Sequence, residues 1–283
     1  DGFYSRSMLE RFDISAGHPL FEHVETLNSL DKGYSLLKNN TIFQAALAVA
    51  RNRNDGLSAM KMYEWTRTFH PDSTSANGVC SERNVLWLVA CGEQRPGNWR
   101  ERSSSVDVHY FKGLLEELKV ALNLSLELTV SDHDVSSLLH PYRQAVIRET
   151  ATGNCVGVLG ELHPKVCTAL KIKRVRPIFM ELEESALSNK GARKGYRPPP
   201  IHNDLSRTIC FALPSGTEAA TVASVLGENG ARVKVVDEFR LRPVYEYIKA
   251  TFSYDINYVE DCIGDVASNA VNNMAKGSIL LLE

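Results

Sequence analysis

Leu139-His140-Pro141-Tyr142-Arg143-Gln144-Ala145, followed by Val156-Gly157-Val158-Leu159-Gly160-Glu161-Leu162-His163-Pro164-Lys165-Val166, is the stretch on which the fold turns. Val156–Leu159 is a short, mostly apolar run ending at Gly160, the signature of a buried strand. Gly160 then marks a tight turn, and Pro164 suits the first turn of a helix, where a missing N–H costs nothing. Gln144–Arg148, just upstream, reads as a partner strand. Strands joined by short turns favour an antiparallel sheet over a parallel one, which needs long crossovers.

Working outward, Met60–Phe69, Val85–Cys91, Leu126–Val130 and Ile178–Leu182 are further strands, rich in β-branched, aromatic and aliphatic residues. Leu36–Arg53 reads as a helix. Val108–Leu122 is amphipathic, with Phe111, Leu114, Leu115, Leu118 and Leu122 on one face and Glu116, Glu117 and Lys119 off it. Strands outnumber helices, so residues 1–190 read as an α+β unit, a mainly antiparallel sheet with flanking helices.

Residues 191–199 combine Gly, Pro and basic side chains, which disfavour helix and central strand, and read as a linker. Beyond it, residues 200–283 parse as strand Leu205–Leu213, helix Thr217–Leu226, strands Arg232–Arg240 and Val244–Tyr254, helix Tyr258–Lys276 and strand Ser278–Leu282. That βαββαβ order is the ferredoxin-like, split βαβ arrangement.

Composition bounds the function. The chain has 283 residues with 43% hydrophobic and 23% charged, ordinary for a soluble globular protein. Its longest apolar stretches fall far short of the roughly 18 residues of a membrane span, and no signal segment opens it, so a cytoplasmic location is expected. Asp1, not Met, starts the chain, and Phe3-Tyr4 read as part of an apolar element already under way, which suggests a processed or truncated chain. The formal net charge is −2, and from Gly191 onward 10 basic residues face 11 acidic ones. Any RNA contact must therefore be local, because extensive phosphate binding draws on a basic excess. The local candidates are Arg207, Arg232, Lys234, Arg240, Arg242 and Lys249; alternation places Arg232, Lys234 and Arg240 partly on an exposed sheet face or edge, with a solvated face as the plainer reading. Cys80, Cys91, Cys155, Cys167, Cys210 and Cys262 are scattered without a CxxC pair, so they read as small core residues, most of them in apolar surroundings, and not as a zinc site.

Catalytic signatures are missing: no phosphate loop, no GxGxxG, no HExxH and no GxSxG occurs. His140 and His163 each precede a proline and read as turn residues. Ser131-Asp132-His133-Asp134 reads as a polar loop, since no ligand partner stands at helical spacing. Read from its residues alone, the chain is a two-domain cytosolic protein, either a non-catalytic binding or assembly protein or an enzyme whose site does not show.

Several segments in order resemble the β subunit of bacterial phenylalanyl-tRNA synthetase. The His-Pro-x-Arg-x-Ala run and the Gly-x-x-Gly-Glu-Leu-His-Pro-x-Val run of that family match His140, Arg143, Gly160, Glu161, His163 and Pro164. Asp107, Lys112 and Gly113 resemble its Asp-x-x-x-x-Lys-Gly stretch, and Glu64 falls in Tyr63-Glu64-Trp65-Thr66-Arg67-Thr68-Phe69, similar to its Phe-Glu-x-Gly-Arg-x-Phe strand. Pro200–Ser206 resembles the entry to its C-terminal anticodon-binding domain. Three departures stand out. Lys38 occupies the place of an arginine, Thr66 that of a glycine, and Arg242-Pro243-Val244-Tyr245 that of a Gly-Lys-Lys segment.

Active class II synthetases hold ATP with an arginine in a Gly-x-Gly-x-x-Arg strand-to-helix segment. The matching stretch here is Phe179-Met180-Glu181-Leu182-Glu183-Glu184-Ser185, without the glycines and with serine for the cation. The resemblance therefore implies a class II synthetase-like core over 1–190 with no catalytic residue, paired with an α subunit in an α2β2 assembly. ATP and Mg²⁺ would sit on the α subunit, with no cofactor or metal on this chain. The ferredoxin-like domain over 200–283 would contact tRNA near the anticodon, with no role for membrane or DNA. The family's β chain is much longer, so the sequence is expected to be a portion of one; a stand-alone shortened paralogue that binds RNA or protein without aminoacylation is the alternative.

Overall fold

A computed structural model describes residues 2–28, 34–72, 74, 80–130, 133–188, 205–214, 232–242, 245–254 and 280–282, the last four segments as backbone strands. The chain divides into two compact units, Asp1–Lys194 and Gly195–Glu283. The linker at 191–199 and the helices expected at Thr217–Leu226 and Tyr258–Lys276 lie outside the described residues.

The first unit runs β1 (Phe3–Tyr4), α1 (Arg6–Arg11), β2 (Leu36–Leu37), α2 (Ile42–Asn54), β3 (Met60–Pro71), β4 (Cys80–Cys91), β5 (Glu93–Arg95), β6 (Ser104–Ser105), α3 (Val108–Leu122), β7 (Leu126–Thr129), β8 (Leu139–Glu149), β9 (Cys155–Leu162), α4 (Pro164–Ala169), β10 (Ile178–Glu183) and α5 (Glu184–Ser188). Six strands form one antiparallel sheet in the order β3-β4-β10-β9-β8-β7. This is the α+β architecture expected from the alternating patterns. Trp87, Val89, Val158 and Phe179 face α2 and the N-terminal segment, where Phe12 stacks on Phe43 with ring centroids 4.4 Å apart. Met180, Leu182, Ile147 and Leu159 face Phe111 and Leu115 of α3.

The helix ends follow from capping. The Asp107 side chain accepts the Tyr110 N–H at 2.9 Å, starting α3. Asn123 ends it in the left-handed conformation, φ 54°, which asparagine tolerates better than most residues. The expected helix over Leu36–Arg53 is corrected at its front. Leu36–Leu37 is strand, and α2 starts only at Ile42, because Lys38, Asn39, Asn40 and Thr41 are buried, and the side chains of Lys38, Asn39 and Thr41 spend their polar groups on tertiary partners. Asn40 Oδ1 accepts the Phe43 N–H at 3.3 Å, capping α2.

Three further expectations change. Gly160 is no turn residue; it lies inside β9, opposite Phe179 and Gln144. A Cβ there would stand 3.0 Å from Gln144 Cβ and 3.1 Å from the Arg143 carbonyl oxygen, so close approach of β8 is what demands glycine. β8 itself starts earlier than expected, at Leu139, absorbing Pro141 in the register irregularity between Leu139 and Gln144. Cys155 is exposed at the start of β9 and is not a core residue, whereas Cys91 is buried; Cys80 and Cys167 are half-buried. Burial pushes the Cys91 and Cys167 thiols up to about 11, which leaves them unreactive.

The second unit contributes β11 (Leu205–Pro214), β12 (Arg232–Arg242), β13 (Tyr245–Tyr254) and β14 (Leu280–Leu282), antiparallel in the order β12-β13-β11-β14. Register shifts in β12 between Val235 and Asp237 and between Arg240 and Arg242 reverse its face twice. Arg232, Lys234 and Arg242 consequently share a face with Lys249. Arg240, opposite Glu246, lies on the other face with Arg207, against the simple alternation that groups it with Arg232 and Lys234.

Candidate functional site

One row of directly opposed residues crosses four strands of the large sheet: Glu64 on β3, Trp87 on β4, Glu181 on β10 and Val158 on β9. Such cross-strand neighbours stand on the same face about 5 Å apart. Tyr4 and the Lys38–Thr41 segment lie over this row. Thr41 Oγ1 donates to Glu181 Oε2, Lys38 Nζ donates to Thr66 Oγ1, and Gln44 Nε2 donates to Glu64 Oε2 at 2.8 Å. The hydroxyl of Tyr4 donates to the Asn40 carbonyl.

Electrostatics follow from this packing. Burial raises the Glu181 carboxyl above its ordinary value, against the Thr41 hydrogen bonds, and nearby Glu183 adds to the rise. Burial, then Glu181, raises the Tyr4 hydroxyl well above its usual value. The Lys38 ammonium is lowered by burial, with Glu64 opposing. Lys38 and Thr66, two of the three departures from the family pattern, are thus each other's partner.

The strand-to-helix segment of β10 and α5 holds its acids within the fold. Arg83 Nη1 stands 3.4 Å from Glu183 Oε1, Asn84 Nδ2 donates to Glu184 Oε2 at 2.7 Å, and Ser185 Oγ donates to Glu183 Oε2 at 3.3 Å. An open cleft of about 730 Å³ adjoins the segment, lined by Arg83, Cys155, Glu183 and Ser185 among others. Its cation is already matched by a carboxylate, so the cleft offers a polyanion little attraction. No group of three or more metal-capable side chains occurs among the described residues.

The motif residues fall into three places. His140, Arg143, Gly160, Glu161, His163 and Pro164 come together around β8, β9 and the start of α4. Arg143 Nη1 meets Glu161 Oε2 at 2.9 Å, with Glu161 only 7% exposed. His140 Nδ1 accepts the Tyr142 N–H at 3.2 Å and His163 Nδ1 the Lys165 N–H at 3.0 Å, each imidazole closing its own His-Pro turn. Glu64 is elsewhere, on the edge strand β3. Asp107, Lys112 and Gly113 belong to α3, on the opposite face of the sheet. Lys112 and Gly113 are exposed, and a Cβ on Gly113 would meet nothing within 4 Å. The side chains of Arg207, Arg232, Lys234, Arg240, Arg242 and Lys249 lie outside the described residues, as do Ser131 and Asp132. In the described half of that loop, His133 Nδ1 accepts the Val135 N–H at 3.3 Å, a local turn contact.

Sequence reasoning missed Thr41, Gln44 and Trp87. The available signal was four consecutive polar residues, Lys38 to Thr41, directly ahead of an apolar run.

Comparison with known proteins gives two family matches. Phosphoglycerate kinase matches residues 202–283, under a third of the chain. The strands described there pair only antiparallel, unlike the mostly parallel doubly wound sheets that bind nucleotides at a topological switch point. The phenylalanyl-tRNA synthetase beta chain CLM domain matches residues 2–183. The phenylalanine–tRNA ligase beta subunit of Syntrophotalea carbinolica is 25% identical over 247 residues, 86% of this chain and 29% of that protein. The beta subunit of Moorella thermoacetica is 26% identical over 261 residues, covering 90% and 31%. That of Latilactobacillus sakei is 28% identical over 193 residues, covering 68% and 23%. The chain spans less than a third of the length of these relatives. With residues 2–183 matched, well over half of its length, the chain belongs to the phenylalanyl-tRNA synthetase β chain CLM-domain family.

Proposed function

We propose that this chain is a portion of the β side of a phenylalanine–tRNA ligase, a catalytically silent class II-like core that supports the α subunit in a cytoplasmic α2β2 assembly. The observation that carries this reading is the β10–α5 segment. The glycines and the cation that an ATP-binding core needs in this segment are lacking, and the acids it carries, Glu181, Glu183 and Glu184, are each hydrogen-bonded within the fold. ATP and Mg²⁺ are assigned to the α subunit. Gly113 adds support for a partner surface: a mid-helix glycine weakens α3, and no close packing among the described residues requires it.

The second unit is assigned a ferredoxin-like fold over 200–283, joined through 191–199 to the core over 1–190. The strand order β12-β13-β11-β14 supports it, since a split βαβ places the first and third strands side by side at the centre. Its proposed role is contact with tRNA near the anticodon, through the sheet face that groups Arg232, Lys234, Arg242 and Lys249. The test is aminoacylation with purified components. The chain alone gives no ATP–pyrophosphate exchange, and addition of the α subunit gives charging of tRNA with phenylalanine. Exchange by the chain alone overturns the silent core.

A further inference from the structure

Beside the Glu64–Trp87–Glu181 row lies a cavity of about 670 Å³, lined by Tyr4, Gln44, Leu47, Glu64, Trp87 and Leu170 among others, with Arg11, Arg51 and Lys171 also contributing. That size is within the range of small-molecule sites. Two of its lining residues carry buried polar atoms with no hydrogen-bond partner among the described residues: Trp87 Nε1, a donor only, and Gln44 Oε1, an acceptor. Trp87 is 4% exposed. These groups are neighbours, since Glu64 is the register partner of Trp87 and takes the Gln44 amide hydrogen at 2.8 Å. Buried polar groups are almost always satisfied, so an unpartnered donor and an unpartnered acceptor on two residues lining one cavity call for a partner. Phe3, Tyr4, Leu47 and Leu170 give the lining an apolar and aromatic part, beside the polar Ser5, Ser7 and Asn54.

We infer that this cavity binds a small planar ligand with an amide-like edge, a hydrogen-bond acceptor next to a donor, on an aromatic body that carries an anionic group. The acceptor takes the Trp87 N–H, and the donor serves Gln44 Oε1, with Glu64 able to take a second hydrogen. The ring lies against the apolar lining. The anionic group answers the exposed Arg11, Arg51 and Lys171, three cations against the single carboxylate of Glu64. This assignment stands apart from the α-subunit reading, because it concerns a pocket within one unit of this chain.

The test uses the full chain labelled with ¹⁵N, reading the Trp87 indole N–H resonance, which Trp87→Phe identifies by removing it. 4-Carbamoylbenzoate, a primary aromatic amide with a carboxylate, is the main probe; benzamide lacks the charge and benzoate lacks the donor. The Trp87 resonance moves with 4-carbamoylbenzoate and, less tightly, with benzamide. Gln44→Leu weakens 4-carbamoylbenzoate roughly tenfold, the worth of one hydrogen bond to a buried group, and Arg51→Gln weakens 4-carbamoylbenzoate while leaving benzamide unchanged. A Trp87 resonance unmoved by either amide overturns the inference, and so does an equal response to benzoate.

Discussion

Glu161 is the buried half of an ion pair whose arginine reaches water, the side chains being 9% and 44% exposed. Removing Arg143 strands a carboxylate with little access to solvent. Arg143→Ala should therefore destabilise the chain by about 1–3 kcal/mol, read as a lower urea midpoint at unchanged slope. Pairing it with Glu161→Gln should recover part of the stability. Two other residues set the pH response. His70 is pushed down to about 4 by burial and then by Arg83, with Asp134 opposing, from an ordinary 6.5. Between those values the unfolded chain binds more protons, so stability falls as pH drops from 6.5 towards 4. His70→Gln should flatten that slope in melting scans, partially, because burial lowers His23 and His133 in the same direction. Glu181 has the opposite sign. Its raised folded value makes the folded state hold the extra proton, so its contribution weakens as pH rises above the ordinary 4.5. Glu181→Gln keeps an acceptor for Thr41 and should raise stability at neutral pH, with the gain fading on acidification.

Among the elements, α3 is legible to the residue. Its apolar spacing, the Asp107 cap and Asn123 are all local signals, and Val108–Leu122 is what they specify. Asp107→Ala should cost about 1 kcal/mol, and Asp107→Asn much less. Gly113→Ala should stabilise the isolated chain by about 0.5–1 kcal/mol, since the new methyl meets nothing. If α3 is a partner surface, the same change weakens association; thermal melting and binding then move in opposite directions. The start of α2 is not legible, because Lys38 to Thr41 leave the helix for partners such as Leu20, Thr66 and Glu181, distant in sequence. Gly160 misleads for the same kind of reason. A glycine that admits a neighbouring strand looks, in sequence, like one that makes a turn. The grouping of basic residues in β12 depends on two register shifts that simple alternation does not encode.

At the scale of the molecule, periodicity and turn residues are enough to read an α+β chain with an antiparallel sheet. The polar network across Glu64, Trp87 and Glu181 cannot be read that way, because strand order decides who faces whom, and β10 enters the sheet beside β4 from far along the chain. The second unit has its own test. Reversing Lys234 and Lys249 to glutamate in the assembled enzyme should weaken tRNA binding and lower the salt slope by about 1 for each phosphate no longer neutralised. Arg240→Glu, on the opposite face, should change the slope little. The central claim is a silent core built to hold an α subunit, and co-expression of the chain with a phenylalanine–tRNA ligase α subunit, followed by size-exclusion chromatography, tests it most directly. One co-eluting complex with the two chains in equal amounts is expected; separate elution of the two, with the chain folded, rules out a core that holds the α subunit.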